Sequence, residues 1–513
     1  MERKSVIALL AAFVASMVSG CAGGEKGSDI DIPDTLPFVF TREDSSQPPT
    51  EQETAAFTRK ITGFWKDIDY FGWALWHAHG LHASYSPDMP EYGLWWQDTK
   101  AVKSGDLVTF VHYGGADNLE IRTSKVLAQA ISLYLSSGDD VAGRLGELYC
   151  KGIVALFQGM LWGPDDPNIY VTARAIFTHN HEYTDRFGHR VAVDYDPVKK
   201  EKYDWNAHTV PNPSNPVFGS IWVRNMRSKD DLPHLFRVAP LMLRAARDAK
   251  DPAIRDAALV AWQYMQGFAR DIVDHGYMIR TKEDGRCYVP TEEENPDAYK
   301  DLATFVNFEN LIPNAECNPK LTSALLGYGD PMGNDCGNGI STQYEDVATQ
   351  VHYFNYAIVR YFHLTAILHA ILNGQNTIAL KLLEGLVERV EAMESDDAER
   401  AEHMEWDADA ASFLLAAGAA GLPLTGDEAR LIQQRYSMAV DHYRQYKYWD
   451  LYDSSVPDGE YDYKPSRDAA DTKHVRPEEM AYLIEYCYSP FRNPAGVDPV
   501  DCDVVLSPAR WGE

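Results

Sequence analysis

The chain is poor in the residues and spacings that mark the best-known catalytic modules. Its 513 residues include only seven cysteines and no Cys-x-x-Cys, which argues against dithiol redox chemistry, a c-type haem attachment and paired-thiolate zinc sites. Gly-x-Ser-x-Gly, Gly-x-x-x-x-Gly-Lys-Ser/Thr, Gly-x-Gly-x-x-Gly and His-Glu-x-x-His do not occur. The sequence therefore offers no nucleophile elbow, phosphate loop, dinucleotide fingerprint or zincin helix. Positive charge is also scarce: 47 Lys and Arg stand against 76 Asp and Glu, a formal net charge of −29. No basic cluster offsets this field, so nucleic acid is excluded as a partner. Polyanionic polysaccharides are disfavoured less strongly, because a local arginine cleft can override a global field. No period of 20 to 50 residues repeats, which sets aside regular helical solenoids.

Long apolar runs are missing too. The longest near the start, Val6 to Val18, is too short to span a bilayer stably. It follows Arg3 and Lys4 and ends in Val18-Ser19-Gly20-Cys21, the layout of an export signal. The Val-Ser-Gly-Cys end resembles the lipobox of bacterial lipoproteins. The resemblance implies diacylglycerol on the Cys21 thiol, loss of residues 1–20, and an extracytoplasmic, membrane-anchored domain, either periplasmic or on the cell surface. Residues 21–55, rich in Gly, Asp, Pro, Ser and Glu, read as a linker. The patch Leu36-Pro37-Phe38-Val39-Phe40 is its one segment suited to docking on the domain. Residues 56–513 read as a single large domain.

Outside Cys21 six cysteines remain, an even number for an oxidising compartment. Cys317–Cys336 and Cys487–Cys502 would each close a local loop, which leaves Cys150–Cys287 by elimination.

Helical patterns dominate. Thr58 to Asp67 begins one. Leu127 to Ser136 pairs with Val141 to Gly159, Leu235 to Asp248 with Ile254 to His275, and Asp407 to Ala420 with Asp427 to Tyr446. Tyr344 to Leu372 leads to Asn376 to Met393, and Arg476-Pro477 opens Glu478 to Tyr486. Strand signals are confined to Val108 to Phe110, Val191 to Val193 and an excursion over Phe177 to Asp196. These features predict an all-α fold of helical pairs, an (α/α) toroid or barrel with long loops and minor β hairpins, with polar groups gathered at the loop ends.

Several constellations carry chemistry. Trp76 and His79 lie in an aromatic and imidazole stretch that could wall a sugar. His112 and Tyr113, before a Gly-Gly turn, combine a base and an acid. His179, His181 and Asp194 supply N,N,O donors for a transition metal such as Zn2+. Asp330, Asn334, Asp335 and Asn338, spaced by glycines, suit Ca2+ without matching an EF-hand. Arg224, Arg227, Asp230 and His234 converge where a loop enters a helix. In the helix from Glu345, residues Glu345, Thr349, His352, Tyr356 and His363 fall on one stripe of about 60° at 100° per residue, with Asp346 beside them. An ionisable stripe on an apolar helix either lines a cleft or joins a hydrogen-bonded network.

The expected function is carbohydrate-active chemistry on a glycan or another small polar ligand. Export, 12 Trp, 29 Tyr and helical pairs resemble, in general shape, the helical-toroid glycoside hydrolases and polysaccharide lyases. That is an architectural analogy. For hydrolysis the carboxylates are Glu345 or Asp346 with Asp230. For a lyase the base is His112, His234 or His352, with Arg224 on the substrate carboxylate and Trp76, His79, Tyr113, Arg227 and Tyr356 among the binding groups. Two other readings stand beside it: a non-catalytic surface lipoprotein that binds a ligand or partner, and a metal-dependent enzyme built on a histidine cluster.

Overall fold

The chain divides into two compact units, Met1–Ile32 and Pro33–Glu513. The computed structural model describes residues 33, 35–79, 91–96, 98–114, 119–178, 180–185, 188–194, 209–225, 231–275, 280–288, 364–365, 367–372, 374, 376–395, 405–444, 449–463 and 475–513, all in the second unit.

Helical pairs form the frame. Thr50 opens α1 (Glu51–Asp67) with a capping box, its hydroxyl taking the Glu53 N–H while the Glu53 carboxylate takes the Thr50 N–H. α2 spans Tyr70–His79. α3 (Leu119–Ser137) and α4 (Asp140–Gly159) meet at a tight turn. Gly138 supplies the positive φ there, 75°, and Asp139 caps α4. α5 (Asp231–Asp248) and α6 (Pro252–Asp274) form the second pair. α7 spans Asn376–Ser395. α8 (Glu405–Ala419) and α9 (Gly426–Tyr443) form the third pair. A short 3-10 turn, Pro477–Glu479, precedes α10 (Tyr482–Tyr488), and α11 (Cys502–Val505) lies near the end. The predicted pairs are present, with α3 starting eight residues before the apolar periodicity suggests.

The all-α expectation is overturned. Three sheets accompany the helices, so the fold is mixed α and β and not a helical toroid. The first has five strands in the order β10-β1-β2-β5-β4, where β1 is Asp98–Ser104, β2 Leu107–Gly114, β4 His181–Thr184, β5 Arg190–Val193 and β10 Gly459–Tyr463. β2 and β5 run parallel, with Leu107 opposite Arg190; the other pairs are antiparallel, and Thr99 lies opposite Tyr463. The second sheet is β3-β7-β6, from Ala175–Thr178, Gly219–Arg224 and Thr209–Asn215, and the third is the hairpin β8 (Thr281–Glu283) with β9 (Arg286–Tyr288). The strands are short, several are rich in charge or carry proline, and three of the pairings, β1–β10, β2–β5 and β3–β7, join segments far apart in sequence. Such segments lack the sustained alternation that marks a half-buried strand.

The core explains the aromatic stretch. Trp65, Tyr70, Phe71, Trp73, Tyr92, Trp95 and Trp96 are all buried. Trp73 meets Trp95 edge-on at 5.0 Å between centroids, and Trp65 meets Trp511 at 5.2 Å. These rings are packing and not a sugar-binding wall. A Cβ on Gly152 of α4 would stand 1.7 Å from the Gly93 carbonyl oxygen, so glycine is required where the 91–96 segment crosses that helix.

Candidate functional site

α3 is buried along Leu119–Leu133, yet it carries Glu120, Arg122, Thr123, Ser124, Lys125, Gln129 and Ser132. At 100° per residue Arg122, Lys125, Gln129 and Ser132 lie within about 80° of one another. A buried stripe of this kind is costly unless each group finds a partner, and the partners come from the end of the chain. Arg122 Nη1 reaches Glu478 at 3.0 Å. Lys125 Nζ pairs with Glu479. Gln129 Nε2 donates to the Glu478 carbonyl at 3.4 Å. Ser412 of α8 donates to the second Glu479 oxygen at 3.1 Å, and Tyr436 of α9 donates to the Glu479 carbonyl at 2.9 Å. Tyr70 donates to the Pro477 carbonyl. Pro477 at the first position presets the 3-10 turn that presents both carboxylates.

α5 adds the remaining members. Arg237 pairs with Glu485 of α10, with Nε 3.2 Å from Oε1, and lies 4.9 Å over the Tyr482 ring, whose hydroxyl accepts from Nη1 at 3.3 Å. One turn before it, His234 is buried. Burial, with Lys125, Arg237 and Arg476 nearby, holds its imidazole well below the usual pKa. Neutral His234 is therefore the form present at pH 7. For Glu479 burial acts the other way, but Lys125, Arg476 and the bond from Ser412 outweigh it and keep the carboxyl below its usual range. Burial opposes the charge of Arg237, and Glu485 and Tyr482 more than offset it. The result is a desolvated set of three ion pairs, with the neutral imidazole of His234 close to Lys125, Arg237 and Arg476.

Of the residues singled out from sequence, His234 alone is placed in this cluster among those with described side chains. Arg224 ends β7 and is buried; its carbonyl accepts from the Arg174 N–H at 2.8 Å. His112 is half-buried on β2 opposite Lys100, and Tyr113 lies opposite Thr99. His181 of β4 stacks on Tyr183 at 5.5 Å, and Asp194 accepts from Asn180 Nδ2 at 2.6 Å. Trp76 and His79 lie on α2, their side chains outside the described set, as is that of Tyr113. His179, Arg227, Asp230, Asp330, Asn334, Asp335, Asn338, Glu345, Asp346, His352 and Tyr356 lie outside the described residues. So does the whole Glu345 to His363 stripe. Among the described residues no group of three His, Cys, Asp or Glu side chains is arranged to hold a metal ion.

Sequence reasoning missed Arg122, Lys125, Arg237, Glu478, Glu479 and Glu485. The available signal was the recurrence of polar residues at 122, 125, 129 and 132 inside an otherwise apolar helix.

A groove of about 430 Å3 lies apart from these contacts, between α4 and α6. Its lining includes the buried Val154, Ala155 and Ala257, the exposed Ala253 and Val260, and the polar Glu91, Glu147, Lys151, Gln158 and Asp256. Lys151 and Glu147 pair across one helical turn at 2.5 Å.

The cysteines depart from the expected framework. Cys487 and Cys502 are joined, 15 residues apart. Cys150 and Cys287 are free thiols, not a bridge. Cys150 lies wholly inside α4, and burial raises its thiol pKa far above the ordinary value. Cys317 and Cys336 lie outside the described residues. No helix among the described residues is long and apolar enough to cross a membrane. Comparison with protein-family models, with curated proteins and with solved structures gives no match to the chain.

Proposed function

We propose that the protein is an exported, lipid-anchored, carbohydrate-active enzyme that cleaves a uronate-bearing glycan by β-elimination, with His234 as its base. The observation that carries this reading is the neutral imidazole of His234 set among Lys125, Arg237 and Arg476; because it is buried, the reaction requires the cluster to open to the substrate. Removing the proton alpha to a uronate carboxylate needs a base that is unprotonated near neutral pH. It also needs positive charge where the enolate develops. In the step proposed, the His234 imidazole takes the C5 proton and the C4–O bond breaks. A C4=C5 double bond forms, and the leaving oxygen takes a proton from solvent. The basic start, the apolar run and the Val-Ser-Gly-Cys end support lipid attachment at Cys21 and a periplasmic or cell-surface location.

A second reading, a non-catalytic ligand-binding lipoprotein, is favoured by the α4–α6 groove, whose volume and partly apolar lining suit a small ligand. Turnover separates the two. The protein is incubated with a panel of uronate and neutral polysaccharides, and the ultraviolet absorbance of the new double bond is followed for the parent chain and for His234→Gln. Turnover on a uronate polymer that His234→Gln abolishes supports the enzyme; no turnover on any member contradicts it.

A further inference from the structure

Residues 35–48, which precede α1, are not a free linker. Residues 35 to 42 alternate in exposure. Leu36, Phe38, Phe40 and Arg42 are half-buried, while Thr35, Pro37, Val39 and Thr41 face solvent. That period of two is the mark of an extended chain laid on a surface. The surface is the α8–α9 turn with the tail after α10. The Leu36 side chain lies over Gly421. Asn493 Nδ2 donates to the Phe40 carbonyl at 2.6 Å. Arg42 Nη1 donates to both Glu428 oxygens at 2.8 Å. Both side chains are nearly inaccessible, 8% and 1%. Glu428 is also the capping-box residue of α9, accepting the Thr425 N–H at 2.8 Å. One carboxylate thus starts the helix and clamps the strap. Asp44 then accepts the Gly426 N–H at 3.0 Å, and Ser46 Oγ accepts the Asp427 N–H at 3.1 Å. A Cβ on Gly426 would stand 2.5 Å from the Gln47 carbonyl oxygen, so the strap's close approach requires glycine there.

We infer that residues 35–48 are a docked strap that transfers the pull of the Cys21 lipid to the α8–α9 turn and holds that end of the domain near the lipid surface. This rests on the lipid-anchor reading above. With the strap seated, the chain from Cys21 to Pro33 counts 33 − 21 = 12 residues and can span at most about 40 Å. With the strap released, the chain from Cys21 to Thr50 counts 50 − 21 = 29 residues and can span about 100 Å. The clamp therefore sets how far from the membrane the domain can work.

The test uses the full lipidated chain in phosphatidylcholine vesicles and chymotrypsin, with cleavage after Phe38 and Phe40 read by mass. Release of the domain from the vesicles is followed at the same time. The parent chain should be cut slowly at these sites. Gly426→Ala and Arg42→Ala should be cut there at least about tenfold faster, with unchanged far-ultraviolet circular dichroism. Equal cutting rates in the parent and both variants would overturn the strap. Vesicle flotation reads the anchor separately: a chain that does not float lacks the lipid, and its cleavage rates in solution still decide whether the strap is docked.

Discussion

Replacing Lys125 with Met should cost about 3–5 kcal/mol of folding stability, the range for breaking a buried ion pair by removing one partner. The structure sets the conditions for a value of that size. The Lys125 and Glu479 side chains are 4% and 1% exposed, so solvent screens their attraction little and cannot rehydrate the carboxylate left behind. Ser412, at 3.1 Å, and the fields of Arg476 and Arg122 would still favour the Glu479 charge, but the direct ion pair would be gone. Burial would then raise the carboxyl, and Glu479 would tend to take up a proton. The loss in Lys125→Met should therefore be largest above the ordinary carboxylate range and should shrink as pH falls through it. Lys125→Met combined with Glu479→Leu removes both charges and should recover most of the loss, because desolvating the pair costs nearly what its attraction returns. Urea unfolding at pH 7, followed by tryptophan fluorescence, gives all corners of the cycle. A single-variant loss under about 1 kcal/mol, or a double variant equal to the sum of the singles, would refute the reasoning.

Two further outcomes follow from the buried groups. The His234 pKa is depressed in the folded state, so below the unfolded value of about 6.5 the unfolded chain binds the extra proton. Its contribution is fully present above about pH 6.5 and is lost as pH falls towards the folded value, at up to about 1.4 kcal/mol per pH unit; His234→Gln should flatten the slope between pH 7 and 5, and an unchanged slope would contradict the assignment. Cys150, wholly buried with a raised pKa, should be silent to a thiol reagent in the native protein, and both it and the half-buried Cys287 should react on unfolding without reductant. A Cys150–Cys287 bridge found by mass would contradict this.

The helical frame was legible from sequence because apolar periodicity is local. Gly138, Asp139 and Asp251-Pro252 punctuate the pairs as their chemistry requires. The sheets were not, although one signal was there to read. Asp284-Gly285 closes β8 onto β9 with both residues at positive φ, 47° and 75°, and Asp-Gly is a strong hairpin dipeptide. β1–β2, β4–β5 and β6–β7 are also local hairpins, but β1–β10, β2–β5 and β3–β7 join strands far apart in sequence, and no local pattern announces such a partner. His234 was identifiable as a polar group at a helix entry. Its setting was only in part: Arg237 follows one turn later on the same helix, but Lys125 and Arg476 come from separate segments and only the fold brings them together. The aromatic stretch misled for a related reason: Trp73, Trp95 and Trp96 have the composition of a sugar platform and the burial of a core.

The central claim is that His234 acts as a base and does not merely fill the cluster. The most direct measurement is the turnover of His234→Gln on the uronate polymer that the parent cleaves best, with its melting temperature taken alongside at pH 8, where the imidazole charge plays no part in stability. The account predicts a fall in kcat of about a hundredfold or more, the scale of a lost general base, with a melting temperature within a few degrees of the parent. Turnover retained in the folded His234→Gln protein would contradict it and leave the cluster as a structural network.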